Sequence, residues 1–366
     1  MSRVVFLTGF PGFIGRRVVQ KLFAVDDAVE VLCLVEPRQS AQAQRAKNEL
    51  ILEHTRELGI EGRLRIVEGD VTAMDVGLSG PEYRDVTART TEIYHLAAIR
   101  ALDAERRRMD AVNVAGTESM LSLGRAMGRL SRFVHFSSAY VSGDRTGVVM
   151  EDELEVGQSF RNGYEASKHR SEVLVQNAKN DLPVSVIRPA GVVGDSETGQ
   201  IDRFDSVYHL GMLLAGSPAA LPIPLGGQGR APLHIAPVDF LVDAVHVITN
   251  QSWTLGETFH VVDPNPLPVR RVYETVAQLA GRKMPRYTVP TNLAKALLRI
   301  PGMERLSSVS HEAMDYVDHM VFYNSRNTSR ALEGSGIACP PFEHYIQNLI
   351  QYVRDHVDAS SGPGSG

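Results

Sequence analysis

The chain predicts an α/β fold, a doubly wound parallel sheet with a smaller C-terminal cap, and three observations predict it. The first is a glycine turn, Thr8-Gly9-Phe10-Pro11-Gly12-Phe13-Ile14-Gly15, set between the apolar run Val4-Val5-Phe6-Leu7 and the helix-like stretch Val18-Val19-Gln20-Lys21-Leu22. The second is an alternation of strand-like runs and amphipathic stretches through the first half, the signature of βαβ units. The third is size: 366 residues, 43% hydrophobic and 22% charged, are enough for one large core with a sizeable addition and argue against disorder.

Taken in order, apolar runs place strands at Val4–Thr8, Glu30–Val35, Leu64–Val67, Ile93–Leu96, Arg132–Ser137 and Val184–Ile187. Runs this apolar suit strands buried on both faces, as parallel sheets require. The clearest helical patterns between them are Asp110–Met127 and Glu165–Ala178, and a later strand, Thr258–Val262, closes the sheet. Residues 1–188 with 233–263 then form a dinucleotide-binding domain. Residues 189–232 with 264–358 form a substrate-binding cap over the carboxyl ends of the strands, where open α/β sheets bind ligands. Residues 359–366 have linker composition and are expected to be disordered.

Charge and cysteine usage exclude several classes. Lys+Arg 38 against Asp+Glu 43 gives −5, so no general attraction to nucleic acid or an anionic membrane follows. The run Arg106-Arg107-Arg108 reads as a solvated helix face, the alternative being a place beside an anionic substrate tail. Cys33 and Cys339 lie far apart without CxxC spacing, so neither a disulfide framework nor a metal site is indicated, and Cys33 reads as a small core residue. No window reaches the roughly 18 apolar residues of a spanning helix. The first strand pattern starts beside Arg3, so no signal peptide is expected and a cytoplasmic protein is the expectation. A homodimer is compatible with the sequence, which does not decide it.

The glycine turn carries the first chemical reading. A strand, a glycine turn and a helix in that order suit a dinucleotide: one glycine makes the turn, one lets the backbone approach a pyrophosphate, and one lets helix and strand pack. The helix N-terminus then offers free N–H groups to the phosphates. Here the spacing is G-x-x-G-x-x-G. A second signal is Tyr164-Glu165-Ala166-Ser167-Lys168, opening a helix after a strand that ends in Ser137-Ser138-Ala139. Tyr and Lys four apart share one helix face. A free phenol has a pKa near 10, and a nearby ammonium pulls it toward the working range, where it exchanges protons efficiently.

Together these motifs resemble the short-chain dehydrogenase/reductase superfamily, in its extended, NAD-dependent epimerase/dehydratase-like branch. The resemblance covers residues 1 to about 265 well, and implies a Rossmann-type sheet. It implies that Tyr164 exchanges the proton with the reacting oxygen, that Ser138 hydrogen-bonds that oxygen, that Lys168 also holds the nicotinamide ribose, and that Asn113 supports the site from its helix. For the cofactor it implies contacts from Gly9, Pro11, Gly12, Phe13, Ile14, Gly15 and Arg16 at the turn, and from Glu36 and Arg38 after the second strand. It adds Asp70, with Val71, at the adenine, Leu96, Ala97 and Ala98 beneath the adenosine, and Pro189 and Val192 beside the nicotinamide, together with Tyr164 and Lys168. Asp70 and Asn113 also have plainer readings, a turn cap and a solvent-facing helix residue.

Cofactor choice is balanced. NAD enzymes of this kind end the second strand with an acid for the ribose, and NADP enzymes place a base near the 2′-phosphate. Val35 stands at the acid position, Glu36 follows where NADP-dependent relatives carry Arg, and Arg16 and Arg38 attract a phosphate. The balance favours NADP(H), with NAD(H) the alternative.

Gly12-Phe13-Ile14-Gly15-Arg16, Cys33-Leu34-Val35 and Val193-Gly194-Asp195 are most similar to the thioester reductase-like and fatty acyl-CoA reductase-like branch. Glu36 and His169, in place of an expected Arg and Trp, depart from it. The resemblance implies reduction of an acyl thioester, carried on CoA or a carrier protein, or of another small hydrophobic carbonyl substrate. A nucleotide-sugar epimerase or dehydratase shares the framework, as does a 3-hydroxy/3-keto dehydrogenase of hydrophobic substrates. Ala231-Pro232-Leu233 stands where epimerases commonly carry an Arg-Asp pair. A non-catalytic dinucleotide-binding regulator is disfavoured by the intact Ser138, Tyr164 and Lys168. Apolar residues Leu210, Met212, Leu213 and Leu214, then Leu293, Ala296, Leu297, Leu298 and Ile300, suit an acyl channel or an ordinary core stripe.

Overall fold

A computed structural model describes residues 3–54, 60–100, 105–201, 229–281 and 318–360. The apolar stretches expected at 206–225 and 289–306 lie outside the described residues. The strands are β1 (Val4–Thr8), β2 (Glu30–Val35), β3 (Leu64–Glu68), β4 (Glu92–His95), β5 (Arg132–Phe136), β6 (Gly147–Val149), β7 (Val184–Pro189), β8 (Gly191–Val193), β9 (Ile235–Pro237), β10 (Thr258–Val261) and β11 (Val321–Tyr323). The helices used below are α1 (Phe13–Val25), α2 (Ser40–His54), α3 (Gly80–Arg89), α4 (Arg106–Asp110), α5 (Gly116–Arg125), α6 (Gly163–Asn177), α7 (Val238–Thr249), α8 (Val269–Leu279), α9 (Arg326–Leu332) and α10 (Phe342–Ser360).

The seven strands expected from the sequence form one parallel sheet in the order β10-β7-β5-β4-β1-β2-β3. The order reverses between β1 and β4, and such a switch point opens a crevice beyond the strands' carboxyl ends. Side chains of β1 alternate between two cores. Val5 and Leu7 join Val19 and Phe23 of α1 and Leu241 and Val245 of α7, whereas Val4 and Phe6 join Met120 of α5 and Val175 of α6. Cys33 is fully buried in the first of these, as expected, and burial pushes its thiol up.

A third apolar cluster joins Val272 and Val276 of α8 and Tyr345 and Leu349 of α10 to Val193 of β8 and Ile235 of β9. Arg326–Leu332, inside the segment assigned to the cap, packs on the sheet instead: Ala331 lies in the first core, and Thr328 donates to the His260 carbonyl at 3.0 Å. The last helix runs to Ser360, two residues into the stretch expected as a tail. The helix expected over Asp110–Met127 starts earlier, at Arg106, and Ala111–Ala115 within it is wound as a π-helix.

His95, His135 and His260 are completely buried, and desolvation pushes all three below the ordinary value, His95 and His260 to about 3. Folded values below the unfolded one mean that these rings stabilise the fold while neutral. That stability is present above about pH 6.5 and is lost as pH falls toward 3, because the unfolded chain binds protons the folded one refuses. Urea unfolding should therefore show stability dropping between pH 7.5 and 5, by up to about 1.4 kcal/mol per pH unit for each ring. A flat or rising profile would contradict the assignment.

Candidate active site

The crevice begins at Gly9. Its φ is +91°, and a Cβ there would lie 2.9 Å from the Leu96 Cβ and 3.1 Å from the Ala97 nitrogen, so only glycine lets the β1 and β4 ends approach. Gly15 is equally constrained, since its Cβ would sit 2.5 Å from the Gly9 carbonyl oxygen. Gly12 is the residue before α1, and its N–H donates back to that same oxygen at 3.0 Å. Pro11 is buried, and Phe13 and Ile14 pack half-buried against the first core. A turn cleared of side chains in front of a helix N-terminus fits a dinucleotide pyrophosphate.

From the turn a hydrogen-bond chain runs to the Tyr/Lys helix. The Thr8 hydroxyl accepts from the Leu96 and Ala97 N–H groups at 3.1 and 3.0 Å and meets His95 Nδ1 at 2.9 Å. His95 Nε2 lies 3.0 Å from the Thr117 hydroxyl, which donates to the Asn113 carbonyl at 2.7 Å. These partners make Nε2 the protonated nitrogen of a neutral ring, consistent with a pKa of about 3. The Asn113 amide then clamps Ile99, accepting from its N–H at 2.7 Å and donating to its carbonyl at 3.0 Å, and donates to the Ser167 hydroxyl at 2.9 Å. Asn113 is therefore buried and holds the β4 loop against α6 instead of facing water.

Helix α6 is fixed at its start by Asn162, whose side chain accepts from the Glu165 N–H at 2.9 Å, and by the Arg161–Glu165 ion pair at 3.1 Å. Tyr164 and Lys168 follow one turn apart. Ser138 is buried at the end of β5, accepts from the Tyr140 N–H at 3.2 Å, and hydrogen-bonds the Tyr164 phenol. The Lys168 ammonium donates to the Phe136 carbonyl at 2.6 Å, and burial pushes its pKa down to about 8 against the pull of Glu172.

Tyr164 corrects one expectation. Burial raises its phenol above the ordinary value, and the opposing cation is Arg100, with Ser138 helping. Lys168 was expected in that role, but its ammonium is anchored to β5. The sequence reading did not single out Arg100, although it follows Ile99, the residue that Asn113 clamps.

At the other end of the crevice, Glu36, Pro37, Arg38, Asp70, Thr72, Arg108, Ala111 and Val112 line a cavity of about 450 Å³. Its place beyond β2 and β3 suits an adenosine. Asp70 is on this wall and is also a turn cap, accepting from the Thr72 N–H and hydroxyl, both at 2.8 Å. Arg38 pairs with Glu36 on the same loop. Arg16 is directed elsewhere, to Glu49 of α2 at 3.0 Å, so the two arginines expected to act together are separated. Val71 is buried in the second core, within 2.8 Å of where a Cβ on Gly116 would lie, and does not line the cavity. Arg108 does line it, so the basic run is not wholly a solvated face. Leu96 and Ala97 pack half-buried against the two cores, and Ala98 is half-buried beside them. Pro189 ends β7, and Val192 sits half-buried in β8.

Residues 7–245 match the NAD-binding family described as male sterility protein, and the chain belongs to it. It is 28% identical over 289 residues to a carboxylic acid reductase of Mycobacterium tuberculosis, covering 72% of this chain and 24% of that protein. It is 24% identical over 291 residues to a fatty acyl-CoA reductase of Drosophila melanogaster, covering 71% and 56%. The chain thus spans about a quarter to a half of the length of these relatives. Among solved structures it resembles the terminal R domain of the myxalamid PKS-NRPS pathway, with a TM-score of 0.82 and 25% identity over 97% of this chain and 91% of that one. The fold and family define a member of the thioester reductase-like branch of the extended short-chain dehydrogenase/reductases, built on an NAD-binding domain.

Tyr164→Phe keeps the ring and removes the exchangeable proton. It is expected to leave cofactor affinity nearly unchanged in a fluorescence titration while lowering turnover by about 10² or more. Lys168→Ala should weaken both. Parent-like turnover by the Phe variant would remove Tyr164 from the chemistry.

Proposed function

We propose that the protein reduces an acyl thioester, carried on CoA or on a carrier protein, with NADPH as the favoured donor. The observation that carries this reading is the nearly end-to-end likeness to a reductase domain, with Ser138, Tyr164 and Lys168 gathered at the end of β5 and the start of α6. The dinucleotide, when bound, supplies hydride to the carbonyl carbon. Gly9, Gly12 and Gly15 leave room for its pyrophosphate, and the Glu36–Arg38 and Asp70 walls take its adenosine.

This chain's residues handle the oxygen. A phenol raised above its ordinary pKa is fully protonated at neutral pH, so Tyr164 is suited to giving a proton rather than taking one. Tyr164 and Ser138 aim two donors at the oxygen where negative charge develops, the arrangement that stabilises an oxyanion. Proton transfer from Tyr164 completes a hemithioacetal, whose C–S bond then breaks to release the thiol and an aldehyde. Lys168, with its pKa lowered to about 8 and its ammonium held by the Phe136 carbonyl, is placed to hold the dinucleotide's ribose rather than to act on the phenol directly.

NADPH is favoured for a local reason. Arg38 neutralises Glu36, the acid that would repel a 2′-phosphate, and Arg108 lines the same cavity with no acidic partner among the described residues. Arg16, tied to Glu49, adds little.

Two outcomes are expected. Purified protein with NADPH and medium- or long-chain acyl-CoA or acyl-carrier thioesters should yield aldehyde or alcohol by gas chromatography. No product there, with epimerised or dehydrated nucleotide sugar in a parallel assay, would overturn the substrate class. NADPH should bind more tightly than NADH by a modest factor, and Glu36→Arg should widen the gap. Tighter NADH binding would instead make Glu36 the ribose ligand.

A further inference from the structure

Behind the catalytic residues lies a cluster of charge that the chemistry above does not use. Glu172 and Arg188 are both completely buried, and the guanidinium reaches the carboxylate through Nε at 3.0 and 3.1 Å and Nη2 at 2.6 Å. The remaining partners come from all sides. The Ser137 hydroxyl donates to Glu172 at 2.5 Å, and the Gln176 amide donates to it at 3.2 Å. Arg188 donates to the Glu153 carbonyl at 3.0 Å and lies 3.2 Å from His260 Nε2. His260 Nδ1 in turn meets the Asn324 carbonyl at 2.7 Å.

Position makes this cluster more than a core ion pair. Glu172 is one helical turn beyond Lys168 on α6, Ser137 precedes Ser138, and Arg188 precedes Pro189. Ser138 and Pro189 are thus each tied through the residue before them, and Lys168 through a residue one helical turn on, to one carboxylate–guanidinium contact. A buried ion pair of this kind is often no more stabilising than apolar residues of the same volume, so stability alone is a weak reason for it. We propose that Glu172 and Arg188 are positioning residues of the reductase site, fixing the Ser138 end of β5 and the Lys168 turn of α6 relative to each other.

The groups facing Lys168 support a special weight for Glu172. His95 on β4 and His135 on β5 are neutral, Tyr164 on the same helix is a protonated phenol, and Arg188 on β7 is a cation. Glu172 is the one group whose charge is found to raise the Lys168 pKa against desolvation. Its own carboxyl is desolvated as well, yet Arg188 and the hydrogen bonds from Arg188, Ser137 and Gln176 outweigh that and hold it ionised.

The proposal rests on the reductase reading for its kinetic arm only. Lysine labelled with ¹³C at Cε gives a substrate-independent arm, with the Lys168 signal assigned by Lys168→Arg. Glu172→Gln keeps the shape but removes the charge and turns one accepting oxygen into a donor facing Arg188, Ser137 and Gln176, and should lower the Lys168 pKa by about one unit. Glu172→Asp keeps the charge and should hold the Lys168 pKa near the parent value. With decanoyl-CoA and NADPH, the Gln variant should show its fall in kcat on the alkaline side at a pH about one unit lower, with cofactor affinity little changed. Ser137→Ala, which leaves the ion pair whole, should lower kcat several-fold at unchanged KM, and serves if Glu172→Gln does not fold. An unmoved Lys168 pKa in Glu172→Gln, or parent kinetics in Ser137→Ala, would reduce the cluster to a structural ion pair. Absence of decanoyl-CoA turnover by the parent enzyme would instead count against the reductase reading, leaving the Lys168 titration to decide this one.

Discussion

The contact on which the site depends is the approach of Gly9 to Leu96 and Ala97, bridged by the Thr8 hydroxyl. Where two parallel strands end side by side the ladder runs out: the Leu96 N–H reaches the Thr8 carbonyl only at 3.3 Å, and burial makes an unpaired N–H costly, on the order of 1–3 kcal/mol. The Thr8 hydroxyl satisfies two such groups at once, and glycine next to it removes the side chain that would push β4 away. The crevice can therefore open at the switch point without exposing unpaired backbone inside it. The same hydroxyl begins the chain through His95, Thr117 and Asn113 to Ser167. The glycine turn and the Tyr164/Lys168 helix are consequently parts of one hydrogen-bonded unit, and displacement of either would cost bonds in the other.

Electrostatics within that unit decide which group carries charge. Desolvation dominates Lys168 and leaves it near 8, but for Glu172 the guanidinium and three sets of hydrogen bonds win. The difference lies in partner number: Lys168 has one carbonyl, whereas Glu172 has Arg188, Ser137 and Gln176. On the proposed reading the Tyr164 phenol, above its ordinary pKa, is the immediate proton donor, and Lys168 sits beside it with its pKa lowered to about 8.

Much of this was legible in the chain because it is written locally. Seven apolar runs gave seven strands of one sheet, and the spacing of Gly9, Gly12 and Gly15 gave a turn that side chains cannot enter. The four-residue spacing of Tyr164 and Lys168 gave a shared helix face. What stayed hidden was the choice of partner. Arg16 finds Glu49 on another helix, Val71 turns into the core against Gly116, and Arg100 rather than Lys168 acts on Tyr164. Such pairings depend on which surfaces tertiary packing brings together, and no period of 2 or 3.6 encodes them. Glu172 is the intermediate case: its distance from Lys168 is a helical repeat, but its importance appears only once Ser137 and Arg188 converge on it.

The adenosine end obeys a different balance. Arg38 is exposed and Glu36 half-buried, and solvent-accessible pairs of this kind are typically worth under about 1 kcal/mol and weaken with salt. A 2′-phosphate entering this cavity therefore meets an acid already neutralised and a second cation, Arg108, on the α4 side. Neither contact is buried deeply enough to give a steep preference. On the proposed reading, discrimination between the two dinucleotides is shallow at this end, and the buried Ser138, Lys168 and Glu172 carry the stringent requirements. A single exposed substitution can thus retune the donor without disturbing the chemistry.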